Sequence, residues 1–273
     1  MSGRIERRFA ELAQAGRTGL VPFFTCGDPS LDAAAPIMHA LVEAGADVLE
    51  LGVPFSDPQA DGPVIQRSSE RALARKVGLR SVLATCRTFR ERDQGTPIVL
   101  MGYLNPVEIY GVDRFARDAA EAGVDGLLVV DCPPEEAADL RAALSAAGLR
   151  LILLASPTTD EARLGLIAEQ ASGYLYYVSF AGVTGADALR ADDVGARLDA
   201  LRGALQVPVA VGFGVKDAQS ARQLAPHADA VVIGSALVER LAAQDDTASA
   251  CAAAKAFLGP IREALDAGMP GVS

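Results

Sequence analysis

Two carboxylates, Glu50 and Asp61, bracket one short stretch of the chain and are the residues best placed to do acid–base chemistry. The stretch reads Leu49-Glu50-Leu51-Gly52-Val53-Pro54-Phe55-Ser56-Asp57-Pro58-Gln59-Ala60-Asp61-Gly62-Pro63-Val64-Ile65-Gln66. Side chains alternate along a strand, so Val48, Glu50 and Gly52 share one face and Leu49 and Leu51 the other. With the leucines packed outward against helices, Glu50 points to the axis of a barrel, near the C-terminal end of its strand. Burial there strips water from the carboxyl and raises its pKa toward the range where proton transfer at neutral pH is efficient. The competing reading is a buried glutamate paired with an arginine, because structural ion pairs also perturb carboxylates. Asp61 ends a loop dense in Pro, Gly and Asp. Gly62-Pro63 then opens a helical pattern, with proline in the first turn, where its missing N–H costs nothing.

The elements that must position this pair alternate with regularity. Apolar spacing predicts a helix over Ile5–Ala15 and strands over Leu20–Thr25, Asp47–Gly52, Ile98–Tyr103, Gly126–Val130, Leu151–Ala155, Tyr174–Ser179, Val209–Gly212 and Ala230–Ile233. Ser30 and Asp160 are expected to cap helices, and Gly45, Gly123 and Gly148 to close them. Helices are expected near 62–75, 80–91, 113–121, 135–147, 192–205 and 216–224, and from Gly234-Ser235 to about residue 267, with a loop through Asn105-Pro106 and a frayed tail over 268–273. The strands are near-continuous apolar runs, as parallel strands covered on both faces are. Eight such strands, each followed by a helix, predict an α/β fold: one (β/α)8 (TIM) barrel domain over residues 1–273, with extra N-terminal and loop helices. The turns Ala44-Gly45-Ala46-Asp47 and Ala122-Gly123-Val124-Asp125 repeat each other but carry no chemistry of their own.

Composition narrows the function further. The 273 residues are 50% hydrophobic with a formal charge of −10, ample for a large core, and no basic run points to nucleic acid. No apolar stretch reaches the roughly 20 residues of a membrane span. The N-terminus, with Arg4, Glu6, Arg7 and Arg8, lacks the apolar core of a signal peptide, and the scattered Cys26, Cys86, Cys132 and Cys251 suggest free thiols in a reducing cytoplasm. The two histidines, His39 and His227, lie in separate helical contexts, which argues against a histidine metal site. His39 fits packing or a helix surface. The lysines, Lys76, Lys216 and Lys255, all lie outside the apolar strand runs where a Schiff-base lysine is expected.

In barrels, the loops after strands seven and eight often bind phosphate beside a helix N-terminus. Here they read Gly212-Phe213-Gly214 and Gly234-Ser235, and the sixth adds Gly182-Val183-Thr184-Gly185. Glycines in tight turns could account for each alone. Three consecutive small-residue loops predict a substrate that carries a phosphate at one end and meets Glu50 and Asp61 at the other.

The Glu50-to-Asp61 stretch resembles the signature of the tryptophan synthase alpha chain family. The likeness runs along nearly the whole chain, through Pro22-Phe23, Gly27-Asp28-Pro29, Tyr103 with Asn105-Pro106, Asp131 with Pro133, Gly182-Val183-Thr184-Gly185, Gly212-Phe213-Gly214 and Gly234-Ser235. The resemblance implies cleavage of indole-3-glycerol phosphate to indole and glyceraldehyde 3-phosphate. Glu50 would make the proton transfers and Asp61 would accept the indole N–H. It implies no cofactor in this chain, and a beta-chain partner in an α2β2 heterotetramer that uses pyridoxal phosphate to join indole to serine. Phe23, Met101, Leu128, Tyr176 and Phe213 would line the indole slot. Thr184, Gly185, Gly214, Gly234 and Ser235 would hold the phosphate end. Pro54, Asp57 and Pro133 would lie near the beta chain, and the loops 53–60 and 180–189 would close over the substrate. A stand-alone lyase of the same family and a catalytically idle activator of a beta chain remain as alternatives; intact Glu50 and Asp61 argue against the second. Indole-3-glycerol phosphate synthase, another phosphate-binding barrel, depends on a strand lysine that this chain lacks.

Overall fold

The computed structural model describes residues 3–178, 191–212 and 214–267. Its centre is a closed parallel barrel in which every strand pairs with its sequence neighbours and the last with the first. The strands are β1 (Gly19–Thr25), β2 (Leu49–Gly52), β3 (Ile98–Gly102), β4 (Gly126–Val129), β5 (Arg150–Ala155), β6 (Leu175–Val178), β7 (Val209–Gly212) and β8 (Ala230–Ile233). Around them lie α1 (Arg4–Gln14), α2 (Leu31–Glu43), α3 (Pro63–Ala74), α4 (Leu79–Arg90), α5 (Leu104–Tyr110), α6 (Val112–Glu121), α7 (Ala138–Ala146), α8 (Glu161–Gln170), α9 (Ala191–Ala204), α10 (Ala218–Leu224), α11 (Ser235–Ala242) and α12 (Thr247–Asp266). The predicted glycine-rich segment 180–188, the residues Thr184, Gly185 and Phe213, and the tail 268–273 lie outside the described residues.

Strand alternation sorts two cores. Val21, Val48, Val99, Leu128, Ile152 and Tyr174 face the axis, closed from below by Ile5, Phe9 and Leu12 of α1. Their neighbours Leu20, Phe24, Leu49, Leu51, Leu100 and Leu127 face outward into the helical ring. Each such side chain, taken from water, contributes about 1.5–3 kcal/mol. Ser30 caps α2 by accepting the Ala33 N–H at 3.2 Å, and Asp160 caps α8 by accepting the Arg163 N–H at 2.8 Å. His39 stacks on Phe89 with ring centroids 4.6 Å apart, a packing role.

One expectation needs correction. The segment through Asn105-Pro106 is not a loop but the start of α5. Pro106 falls in the first turn, where no intrahelical donor is lost, and Asp131 takes up the Leu104 N–H at 2.8 Å.

The N-terminal end of the barrel carries a repeated device. Asp47, Asp125 and Asp229 each precede a strand. Their carboxylates accept the N–H of Leu20, Ile98 and Val209 at 2.9, 2.8 and 2.8 Å, residues at the start of the adjacent strand. Each aspartate also returns its own N–H to the carbonyl of that same residue, at 2.8, 2.8 and 2.9 Å. An arginine completes each clamp: Arg262 on Asp47 at 3.1 Å, Arg90 on Asp125 at 2.9 Å and Arg202 on Asp229 at 2.8 Å. The two matching turns of the sequence make the first two clamps, with Gly45 and Gly123 at φ +99° and +80° turning the chain sharply before the aspartate.

Candidate active site

Glu50 sits in β2 between Phe23 of β1 and Val99 of β3 in register. Its side chain faces the axis and is 0% exposed. The Tyr174 hydroxyl, just before β6, donates to Oε1 across the barrel at 2.6 Å. Phe9 of α1 leans on the Tyr174 ring from below, centroids 5.6 Å apart. The other oxygen, Oε2, is buried without a hydrogen-bond partner among the described residues. Among the described residues no arginine pairs with Glu50. Burial pushes its carboxyl up to about 7, against the lesser opposing pull of the Tyr174 hydroxyl.

Asp61 is delivered by the loop between β2 and α3. Gln66, in the first turns of α3, folds the loop end back by donating to the carbonyls of Asp61 at 2.9 Å and Pro58 at 3.3 Å. Tyr103, directly after β3, donates its hydroxyl to Asp61 Oδ2 at 3.1 Å and accepts the Ala60 N–H at 3.0 Å. Its ring packs on Phe55, centroids 4.9 Å apart. Burial pushes Asp61 up to about 6, again with a hydroxyl as the opposing influence. The Tyr176 phenol is held well above its ordinary pKa, first by burial and then by the negative charges of Glu50 and Asp61. That field marks Tyr176 as a neighbour of both acids.

A cleft at the C-terminal mouth joins Asp61 to Phe23, Met101, Tyr103, Thr25 and Ser69. Leu128 lies opposite Met101 in register and is fully buried in the barrel core. A Cβ on Gly52 would stand 2.7 Å from the Phe23 ring, so the glycine lets that ring lie across the mouth. Gly234 caps α11 and backs onto the same ring, where a Cβ would sit 3.5 Å from it. Ser235 is exposed as the first residue of α11. The leading N–H groups of a helix have no intrahelical partner and attract an anion, so this corner can hold a phosphate. Gly214, at φ +52°, lies just after β7. Of the residues expected near a partner, Pro54 is buried within the chain, Asp57 is exposed and Pro133 is half-buried.

Glu50, desolvated on the barrel axis, and Asp61, in the cleft at the mouth, pair with no cation among the described residues and suit proton transfer beside an anion-binding corner. The family profile described as tryptophan synthase alpha chain matches residues 9–266. The chain belongs to that family.

Its relatives agree over their whole length. It is 62% identical over 264 residues to the tryptophan synthase alpha chain of Xylella fastidiosa strain M12, covering 97% of this chain and 98% of that one. It is 61% identical over 267 residues to the alpha chain of Xanthomonas oryzae pv. oryzae strain PXO99A, covering 96% and 98%. The solved structure of tryptophan synthase subunit alpha from Legionella pneumophila str. Paris superposes with a TM-score of 0.91 at 43% identity, covering 98% of this chain and 100% of that one. As a tryptophan synthase alpha chain, it is a lyase of tryptophan biosynthesis built on a TIM barrel. No helix among the described residues is long and apolar enough to cross a membrane. Sequence reasoning missed the tyrosines that hold the two acids. The available signal for Tyr174 was its parity with Tyr176, which places two phenols on an otherwise apolar inward face.

Proposed function

We propose that Glu50 and Asp61 carry the family's reaction, the retro-aldol cleavage of indole-3-glycerol phosphate to indole and glyceraldehyde 3-phosphate. Protonated Glu50 delivers its proton to the indole ring carbon that bears the glycerol chain. The resulting cation is spread onto the ring nitrogen. Glu50, now a carboxylate, takes the proton of the hydroxyl on the adjoining carbon. The O–H electron pair becomes the new C=O bond, the carbon–carbon bond breaks, and its electrons return to the ring to restore indole. Asp61, ionised, accepts the indole N–H and opposes the positive charge as it develops, an effect larger in the transition state than in the ground state. Phe23, Met101, Leu128, Tyr176 and Phe213 enclose the ring; Thr184, Gly185, Gly214, Gly234 and Ser235 hold the phosphate.

The observation that carries this reading is the state of Glu50: buried, free of any cation among the described residues, and raised to about 7. Near neutral pH such a group still holds its proton in much of the population and is acidic enough to give it up and then take one back. The two acids together give a bell-shaped kcat/KM profile. Activity is lost below about 6 as Asp61 protonates and above about 7 as Glu50 ionises.

The chain works as one barrel domain without a cofactor of its own, in the cytoplasm, with a beta chain that consumes the indole by pyridoxal phosphate chemistry in an α2β2 assembly. The partner surface lies beside the mouth. Ile109 of α5 is 79% exposed, an unusual position for a large apolar side chain. The Leu104–Asp131 hydrogen bond ties α5 to the loop that carries Pro133, and Tyr103 ties the same region to the loop that carries Asp57. Buried Pro54 supports that loop from within the chain.

The test is cleavage of indole-3-glycerol phosphate by the purified chain, alone and with a beta chain, beside Glu50→Gln. Weak activity alone, stimulation by the partner and an inactive variant support the whole reading. Full activity alone without stimulation makes it a stand-alone lyase. No cleavage under either condition favours an idle activator or another phosphate substrate.

A further inference from the structure

A second cavity, of about 950 Å3, opens at the end of the barrel opposite the carboxylates. It is built where the chain enters β1, β7 and β8, between α1 and the ends of α9 and α10. Its size suits a small-molecule ligand. Its accessible apolar lining is Val207, Pro208, Ala225 and Pro226, backed by the buried Phe9, Leu12 and Leu205, whereas the charged lining is Arg17, Arg202, Arg222 and a single aspartate, Asp229. That bias is local, since the whole chain carries −10.

The arginines are not equally occupied. Arg17 gives Nε and Nη2 to Asp266 and keeps Nη1 free of hydrogen bonds among the described residues. Arg202 gives one Nη2 to Asp229 and keeps its other donors. Arg222, exposed on α10, makes no side-chain hydrogen bond or ion pair among the described residues, although Asp229 lines the same cavity. Guanidinium donors recognise carboxylate and phosphate oxygens in pairs, and a planar fork over an apolar floor fits an anion with an apolar body.

We propose that this cavity is a second binding site for a small organic anion, an aromatic or branched apolar body bearing one carboxylate or phosphate, with Arg222 as its principal charge. The apolar part lies against Val207, Pro208, Ala225 and Pro226, and the anionic head faces Arg222 and the free donors of Arg17 and Arg202. The site is separate from the phosphate corner at the mouth, which belongs to the loops after β7 and β8.

Amide-resolved NMR of the full chain tests this, with benzoate and phenyl phosphate as probes, benzamide as the neutral match and inorganic phosphate as the anion without a body. Both aromatic anions are expected to shift the amides of Ala13, Gly16, Leu205 and Arg222 saturably, with benzoate and phenyl phosphate telling carboxylate from phosphate preference. Benzamide and inorganic phosphate should bind about tenfold more weakly or worse. Arg222→Ala should weaken the aromatic anions by a similar factor and Arg222→Lys should restore part of it, with cleavage of indole-3-glycerol phosphate unchanged in both. Shifts confined to Gly234 and Ser235, equal binding of benzamide, or equal binding by Arg222→Ala would each overturn the proposal. None of these outcomes depends on the roles of Glu50 and Asp61.

Discussion

The two ends of this barrel treat carboxylates in opposite ways. At the N-terminal end, Asp47, Asp125 and Asp229 each hold a strand N–H and an arginine. At the C-terminal end, Glu50 and Asp61 are held by one tyrosine hydroxyl each and by no arginine among the described residues. A carboxylate given a guanidinium and a backbone donor ties strands together. A carboxylate given only a neutral hydroxyl keeps a pKa near neutrality and can exchange a proton. The same side-chain chemistry thus serves cohesion at one end and reactivity at the other, and the choice is made by the neighbours.

The sharpest way to break the contrast is to neutralise one acid from each end. Glu50→Gln should lower cleavage of indole-3-glycerol phosphate by about 10³-fold or more, toward the upper range for losing a general acid–base, while leaving the urea midpoint no lower than that of the parent. Asp125→Ala should do the reverse. Arg90 loses its 2.9 Å carboxylate and keeps only Asp93 at 3.9 Å, so urea unfolding should show a loss toward the lower end of about 3–5 kcal/mol, with kcat of the folded fraction close to that of the parent. Asp61→Asn keeps an oxygen for the indole N–H but removes the charge. A fall of about 10²-fold in kcat/KM is expected, together with loss of the acid limb of the pH profile.

The smallest effect has the clearest sign. Folded Glu50 titrates at about 7, above the ordinary value of 4.5. Between those values the folded chain holds a proton that the unfolded chain has released, so this residue makes stability fall as pH rises through that window. The Glu50→Gln variant has no titrating group at this position and no such dependence. In melting curves of the two proteins, the Tm of Glu50→Gln minus that of the parent should start near zero below about pH 4.5 and rise to a few degrees above about pH 7. A difference that shrinks with rising pH would mean that Glu50 is stabilised as an anion.

Much of this was legible in the chain. The bounds of β7 and β8 follow from short apolar runs between turns, and the inward direction of Glu50 follows from strand parity alone. The rest of the proposed site rests on the resemblance to the family. The partners of the two acids were not legible, because Tyr174 reaches Glu50 from 124 residues away and Tyr103 reaches Asp61 from 42. Local periodicity says which way a side chain points, not what meets it across a barrel. The clamps were half visible. Two matching Ala-Gly-x-Asp turns stood out as a repeat, but their meaning depended on Arg262 and Arg90, which lie far from them or on another element. Asp229 escaped notice because no glycine precedes it in the same frame. The helix α5 was hidden by Pro106, whose tolerance in a first turn depends on a start that only the Asp131 contact reveals.

The stack of Phe9 under Tyr174 under Glu50 makes the amino-terminal helix part of the catalytic mouth's foundation. A chain cut back past Phe9 would keep every proposed catalytic group and lose the floor beneath one of them. For anyone transplanting this mouth onto another barrel, the portable unit is therefore not the set of loops. It is the loops together with a helix from the far end, and a graft that leaves that helix behind should bind its substrate with a loosened acid.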